Sequence, residues 1–254
     1  MKSYLQLIKK ELRALRWYLG VLMFLTLGWH LFLATRVQRW PAELVFGLGW
    51  IPISFIPIWL LWISVQMYRS EWNQDTAYLL LSLPIPGWQI TTSKFLVVMI
   101  AYVFSVVLFA ASFFLALGGS IMQIVGDCLT LFPTIWYLRT GLNAFVLSVL
   151  LVSSATMLTH FSYISARMVK RFQGLVMVWI LVLSVWLMER LGYVIEPLLR
   201  WVPWMTFEIG NYSQGMVHMG EFQMSLAPIL APWLIVVALF ALGTWLWETQ
   251  IEIV

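Results

Sequence analysis

Six apolar stretches, each near the roughly 20 residues needed to cross a bilayer core, leave this chain little choice of fold. They span residues 17–34, 44–67, 95–117, 142–164, 172–188 and 226–247. None contains an Asp, Glu, Lys or Arg, and only 10% of the chain is charged against 62% hydrophobic. A soluble domain carries about a quarter charged residues. With no water in the bilayer to satisfy N–H and C=O groups, apolar stretches of this length must be helical. The chain therefore reads as an all-α polytopic membrane protein, one transmembrane domain over residues 1–254. The fifth stretch is the shortest and carries Gln173 and Gly174. The first exceeds the roughly 7–15 residues of a signal-peptide core, and no small-residue cleavage pattern follows it. It is read as a retained helix.

Six crossings place both termini on one side. Lys2, Lys9, Lys10, Arg13, Arg16, Arg69, Lys94, Arg167, Lys170 and Arg171 fall on that side, against Arg36, Arg39, Arg139, Arg190 and Arg200 on the other. Basic residues beside span ends favour the cytoplasm, which predicts a multi-pass plasma (inner) membrane protein with cytoplasmic termini. Trp17, Trp72, Trp88, Trp245 and Trp247 then sit near the inner interface, and Trp40, Trp136, Trp201 and Trp204 near the outer one, as amphipathic rings do. The net charge of +4 is spread over span ends and does not point to nucleic acid.

Other chemistry is thin. Cys128 is alone, so no disulfide can form within the chain. His30, His160 and His218 have no metal-ligand spacing. A span interior without charges argues against an ion-coupled carrier and against an embedded hydrolase. The nearest approach to a phosphate loop, "GWQITTSK" from Gly87 to Lys94, lacks the second Gly and the Gly-Lys-Ser/Thr order. The chain is read as no enzyme by itself and as holding no cofactor; any ATP and Mg would be bound by a separate subunit.

Residues 4–16, "YLQLIKKELRALR", set Tyr4, Leu5, Ile8, Leu12 and Leu15 on one arc and Lys9, Lys10, Arg13 and Arg16 beside it. This predicts an amphipathic interface helix with its basic face toward lipid headgroups. Ser148, Thr156 and Thr159 share a face of the fourth span. They suit either interhelical hydrogen bonds or a polar strip along a pathway or dimer face. Pro52 and Pro57 should kink the second span. The outer segment around "LLRWVPWMTFEIG" is expected to form short helices between the fifth and sixth spans.

The most informative stretch is "RSEWNQDTAYLLLSLPIPGWQITTSK", Arg69 to Lys94, between the second and third spans. Asp75 can cap a short helix over residues 76–83, and Pro84 ends it. Leu79, Leu80, Leu81 and Leu83 leave that helix apolar nearly all round, so it must be buried against something.

Glu71, Asp75-Thr76, Leu80, Leu83-Pro84-Ile85-Pro86 and Lys94 together resemble the segment between spans two and three of ABC-2-type permeases, although Asp75 stands where many members have glycine. The basic N-terminal helix, the six spans and the long outer segment before the last one agree with that family. The resemblance implies a permease subunit of a bacterial ATP-driven exporter. It would work with two copies of an ABC ATPase subunit and a second permease chain, identical or related, in the lipid bilayer. Glu71, Asp75, Thr76, Tyr78, Leu79, Leu80, Leu83 and Pro84 would form the coupling helix and its flank. The uncharged spans favour an amphiphilic cargo. A membrane scaffold recruiting a cytoplasmic partner through the same loop, and an ATP-independent carrier, are the alternatives.

Overall fold

The computed structural model describes residues 2–73, 86–131, 134–169, 171–202, 204–213 and 216–249. Helix α1 runs Lys2–Arg36, α2 Ala42–Gly49, α3 Ile51–Asn73, α4 Gly87–Leu131, α5 Thr134–Ala166 and α6 Gln173–Ile195. A 3-10 turn, Glu196–Leu199, leads to antiparallel strands β1 (Trp204–Ser213) and β2 (Met216–Ser225) and then to α7, Ala227–Thr249. Among the described residues, six helical segments are long and apolar enough to cross a membrane: Tyr4–Arg36, Glu43–Asn73, Gly87–Gly118, Leu138–Ala166, Gln173–Leu199 and Ala227–Thr249. All six expected crossings are present. Most run several residues past the apolar limits, because a helix continues through polar residues until a breaker or cap stops it.

The segment 4–16 is not a separate surface helix. It continues into the first crossing as one helix, since between Leu12 and Arg36 the only residue with poor helix propensity is an occasional Gly and there is no Pro. Its buried side is Leu7, Glu11 and Leu15, spaced by four, and Leu5 is exposed.

Where the prolines predicted a kink, the second crossing is broken into α2 and α3 at Trp50. Pro52, in the first turn of α3, has no N–H to continue the ladder from α2. The helix then passes through Pro57 without stopping.

The segment before α7 also differs from expectation. One 3-10 turn is followed by a hairpin in which Trp204 pairs with Ser225 and Ser213 with Met216. Gly210 and Gly220 disfavour helix by about 1 kcal/mol each, and Thr206, Ile209, Tyr212, Val217 and Phe222 are strand formers.

The first four helices share one core, in which Leu15, Leu22, Leu33, Ile56, Leu60, Val97, Val98, Phe109 and Phe113 are buried together. Met157 and Leu158 of α5 pack on Val236 and Phe240 of α7. Tyr68, Tyr163, Ile164 and Trp247 join the two groups. Helix α6 is the least covered, with Leu175, Val178, Trp179, Val182, Leu183 and Trp186 exposed.

Candidate functional site

Glu11, Lys94 and Glu71 meet in the interior, where α1, α3 and α4 converge. The Lys94 ammonium lies 2.8 Å from Glu71 Oε1 and 3.0 Å from Glu11 Oε1. Lys10 Nζ approaches the same oxygens at 2.9 Å and 3.4 Å. The side chain of Lys94 is 0% exposed, whereas that of Lys10 is 47% exposed. Two carboxylates and two ammonium groups make a cluster of no net charge, which lowers the cost of removing it from water. Tyr68, one turn before Glu71, places its buried ring 5.2 Å from Lys94 Nζ, a cation–π contact that uses a proton left free by the carboxylates.

These residues stand where α3 leaves for the segment that returns at α4. The return is held as well. Gly87 opens α4, and a side chain there would meet Glu248 Cγ at 2.5 Å and Trp247 Cδ1 at 3.0 Å. Glu248 Oε1 accepts a hydrogen bond from the Trp88 backbone N–H at 3.3 Å, meeting one of the unpaired N–H groups of a helix N-terminus with a carboxylate. Tyr4 donates to Thr92 Oγ1 at 3.3 Å, and its ring sits 6.3 Å from that of Trp88. Both ends of the connection are thus fastened to helices other than α3 and α4, namely α1 and α7.

Of the residues the sequence singled out, Glu71 enters this cluster. Asp75, Thr76, Tyr78, Leu79, Leu80, Leu83 and Pro84 lie outside the described residues. Lys9, Arg13 and Arg16 are exposed, and Lys10 turns from that basic face to the two glutamates. The charge-free limits drawn for the spans ended just short of Glu71 and Lys94; the helices continue through both, and both are buried.

Thr156 and Thr159 are buried and bond back to the carbonyls of Val152 and Ala155, while half-buried Ser148 bonds to Phe145. Ser153, between them, accepts from Trp233 Nε1 of α7 at 3.1 Å.

Sequence reasoning passed over Glu11, Tyr68 and Glu248. Glu11 carried a signal, since it stands four residues from both Leu7 and Leu15 on what is then the inward stripe.

A second polar site supports the break in the second crossing. Trp29 Nε1 donates to the Leu48 carbonyl at 2.9 Å, the group that the N–H of residue 52 would take if it were not proline. His30 Nε2 contacts the Gly49 carbonyl at 3.2 Å, and Nδ1 contacts Ser112 Oγ at 2.6 Å. A carbonyl only accepts, so Nε2 donates to Gly49, and the Ser112 hydroxyl lies between Nδ1 and the Phe109 carbonyl, 3.0 Å away, which also accepts from it. Side chains of α1 thereby satisfy backbone that an unbroken helix would have satisfied alone, with Ser112 of α4 in contact with the imidazole. The rings of Phe109 and Phe113 enclose the imidazole.

A family model described as ABC-2 family transporter protein matches residues 9–172. The match takes in the four-charge cluster, the connection between α3 and α4, and the first four crossings. No curated protein and no solved structure is matched.

Proposed function

Because the chain belongs to the ABC-2 transporter family, we propose that it is the permease subunit of an ATP-driven exporter and receives its driving force through residues 71–87. The observation that carries this reading is the fastening of both ends of that segment. At one end Glu71 is tied to Lys94 and Lys10, and through them to Glu11; at the other Gly87 and Trp88 lie against Trp247 and Glu248. A push on a tethered segment moves the helices it is tethered to, whereas a push on a slack loop is lost.

Two permease chains and two ATPase subunits form the working complex, and ATP with Mg is bound and hydrolysed on the ATPases. Closure of the ATPases displaces residues 76–83. The ion cluster makes the inner ends of α1, α3 and α4 shift as one block. The interruption at Trp50 lets the outer part of the second crossing follow a different path, which opens the route outward.

The test is co-purification from detergent-solubilised native membranes. The parent chain is expected to bring an ABC ATPase with it, and a variant with Leu80→Glu and Leu83→Glu is expected to lose it while eluting as a folded protein. Retention of the ATPase by that variant would move the docking site away from this segment. Absence of any ATPase from the parent would favour the scaffold or carrier reading.

A further inference from the structure

A pocket of about 450 Å³ lies between the ends of α3, α5 and α6. Arg69, one turn before the end of α3, and Arg167, directly after α5, line it with Asn73 and Gln173. Val65 and Met177, a turn or so farther into their helices, give it an apolar floor. Arg167 is held in place: its guanidinium carbon lies 5.0 Å from the ring of Trp72 and 5.1 Å from that of Tyr163, and it donates to the Tyr163 hydroxyl. Neither arginine forms an ion pair among the described residues, and no carboxylate is among the described residues lining the pocket. Gln173 and Gly174, also in the wall, begin α6, whose first turn has no acidic residue and no side-chain cap, so the positive end of that helix adds to the field.

We propose that this pocket binds the phosphate headgroup of an anionic phospholipid from the inner leaflet. Two guanidinium groups suit a phosphate, which accepts their paired N–H donors. Basic pockets between transmembrane helices at the cytoplasmic side take such headgroups. A free phosphate would use only the polar rim. A lipid also uses the apolar floor, with its first acyl carbons running beside Val65 and Met177 toward the bilayer. The choice of leaflet rests on the inward orientation adopted in the exporter reading; the binding itself does not.

The experiment is native mass spectrometry of the purified chain in non-ionic detergent, titrated with phosphatidylglycerol or phosphatidylcholine. One phosphatidylglycerol should be retained per chain at concentrations at least tenfold below those needed for phosphatidylcholine. Arg69→Gln with Arg167→Gln should weaken retention at least tenfold, and Arg39→Gln with Arg200→Gln, which removes the same charge at exposed sites elsewhere, should not. Gln173→Glu keeps both arginines but sets in the pocket a carboxylate that repels the phosphate and competes with it for them, so it should give the same loss.

Equal retention by the parent and both pocket variants overturns the proposal. Displacement of the lipid by an equal concentration of glycerol 3-phosphate makes this a site for soluble phosphates and overturns it too. So does loss of ATPase co-purification in the double variant with lipid retention unchanged, since the arginines then serve a protein partner. Lipid is measured on the chain alone, so its result and that of the ATPase pull-down are separable.

Discussion

Lys94 is fully buried with its ammonium 2.8 Å from Glu71 and 3.0 Å from Glu11, so that one side chain joins α1, α3 and α4. Removing it leaves two buried carboxylates with only the half-exposed Lys10 between them. Breaking a buried pair in this way costs about 3–5 kcal/mol. Lys94→Met is expected to lower the midpoint of thermal unfolding in detergent sharply, and Lys10→Met, at a half-exposed site, to cost about 1 kcal/mol or less. Comparable losses from the two would show that Lys94 is not the central cation. Combining Lys94→Met with Glu71→Gln should recover part of the loss, because it removes one of the stranded charges.

The same cluster bears on coupling. Glu71→Gln keeps the side-chain shape and weakens the tie to Lys10 and Lys94. In reconstituted complexes it is expected to leave the ATPase bound and to lower cargo-stimulated ATP hydrolysis several-fold. Unchanged stimulation would mean that the cluster only stabilises the fold.

Trp29 stands in for the donor that Pro52 lacks. Trp29→Phe should cost about 1 kcal/mol, in the range of hydrogen bonds between membrane helices. Pro52→Ala restores an N–H at residue 52 and should reduce the cost of Trp29→Phe. Additive effects of the two substitutions in unfolding measurements would separate the tryptophan from the break.

Gly49 sits against the phenyl ring of Phe113, where an added Cβ would come within 2.5 Å of Cε2. That ring packs with Phe109 and His30 and cannot simply swing away. Gly49→Ala is expected to destabilise by about 1–3 kcal/mol, and Phe113→Leu to relieve it. Gly47→Ala serves as the control, since nothing lies within 4 Å of a side chain there.

His160 is buried, and neither of its ring nitrogens has a hydrogen-bond partner among the described residues. Its ring meets Tyr68 edge-on at 5.1 Å and Phe240 at 6.1 Å. Replacing a buried polar ring by an apolar one of similar shape is close to neutral. His160→Phe should therefore keep the melting midpoint or raise it slightly; a fall equivalent to 2 kcal/mol or more would assign the imidazole a polar role.

The six crossings, their order and their helical state followed from the sequence alone, because a bilayer leaves an apolar run of that length no other way to satisfy its backbone. The importance of residues 71–94 was legible too, since Glu71, the leucines and Leu83-Pro84 carry a pattern in one short stretch. Composition and periodicity could not reach the contacts between segments far apart in the chain. Glu11 pairs with Lys94, Glu248 with the start of α4, and Trp29 with the Leu48 carbonyl; each is a polar group whose partner lies on another helix. The N-terminal segment looked like a surface helix because its charges were counted as facing water. Only packing against α4 revealed that Glu11, beside those basic residues and not counted with them, faces inward. A helix period specifies which residues share a face, and the neighbour brought to that face by the fold decides whether a charge there is solvated or paired.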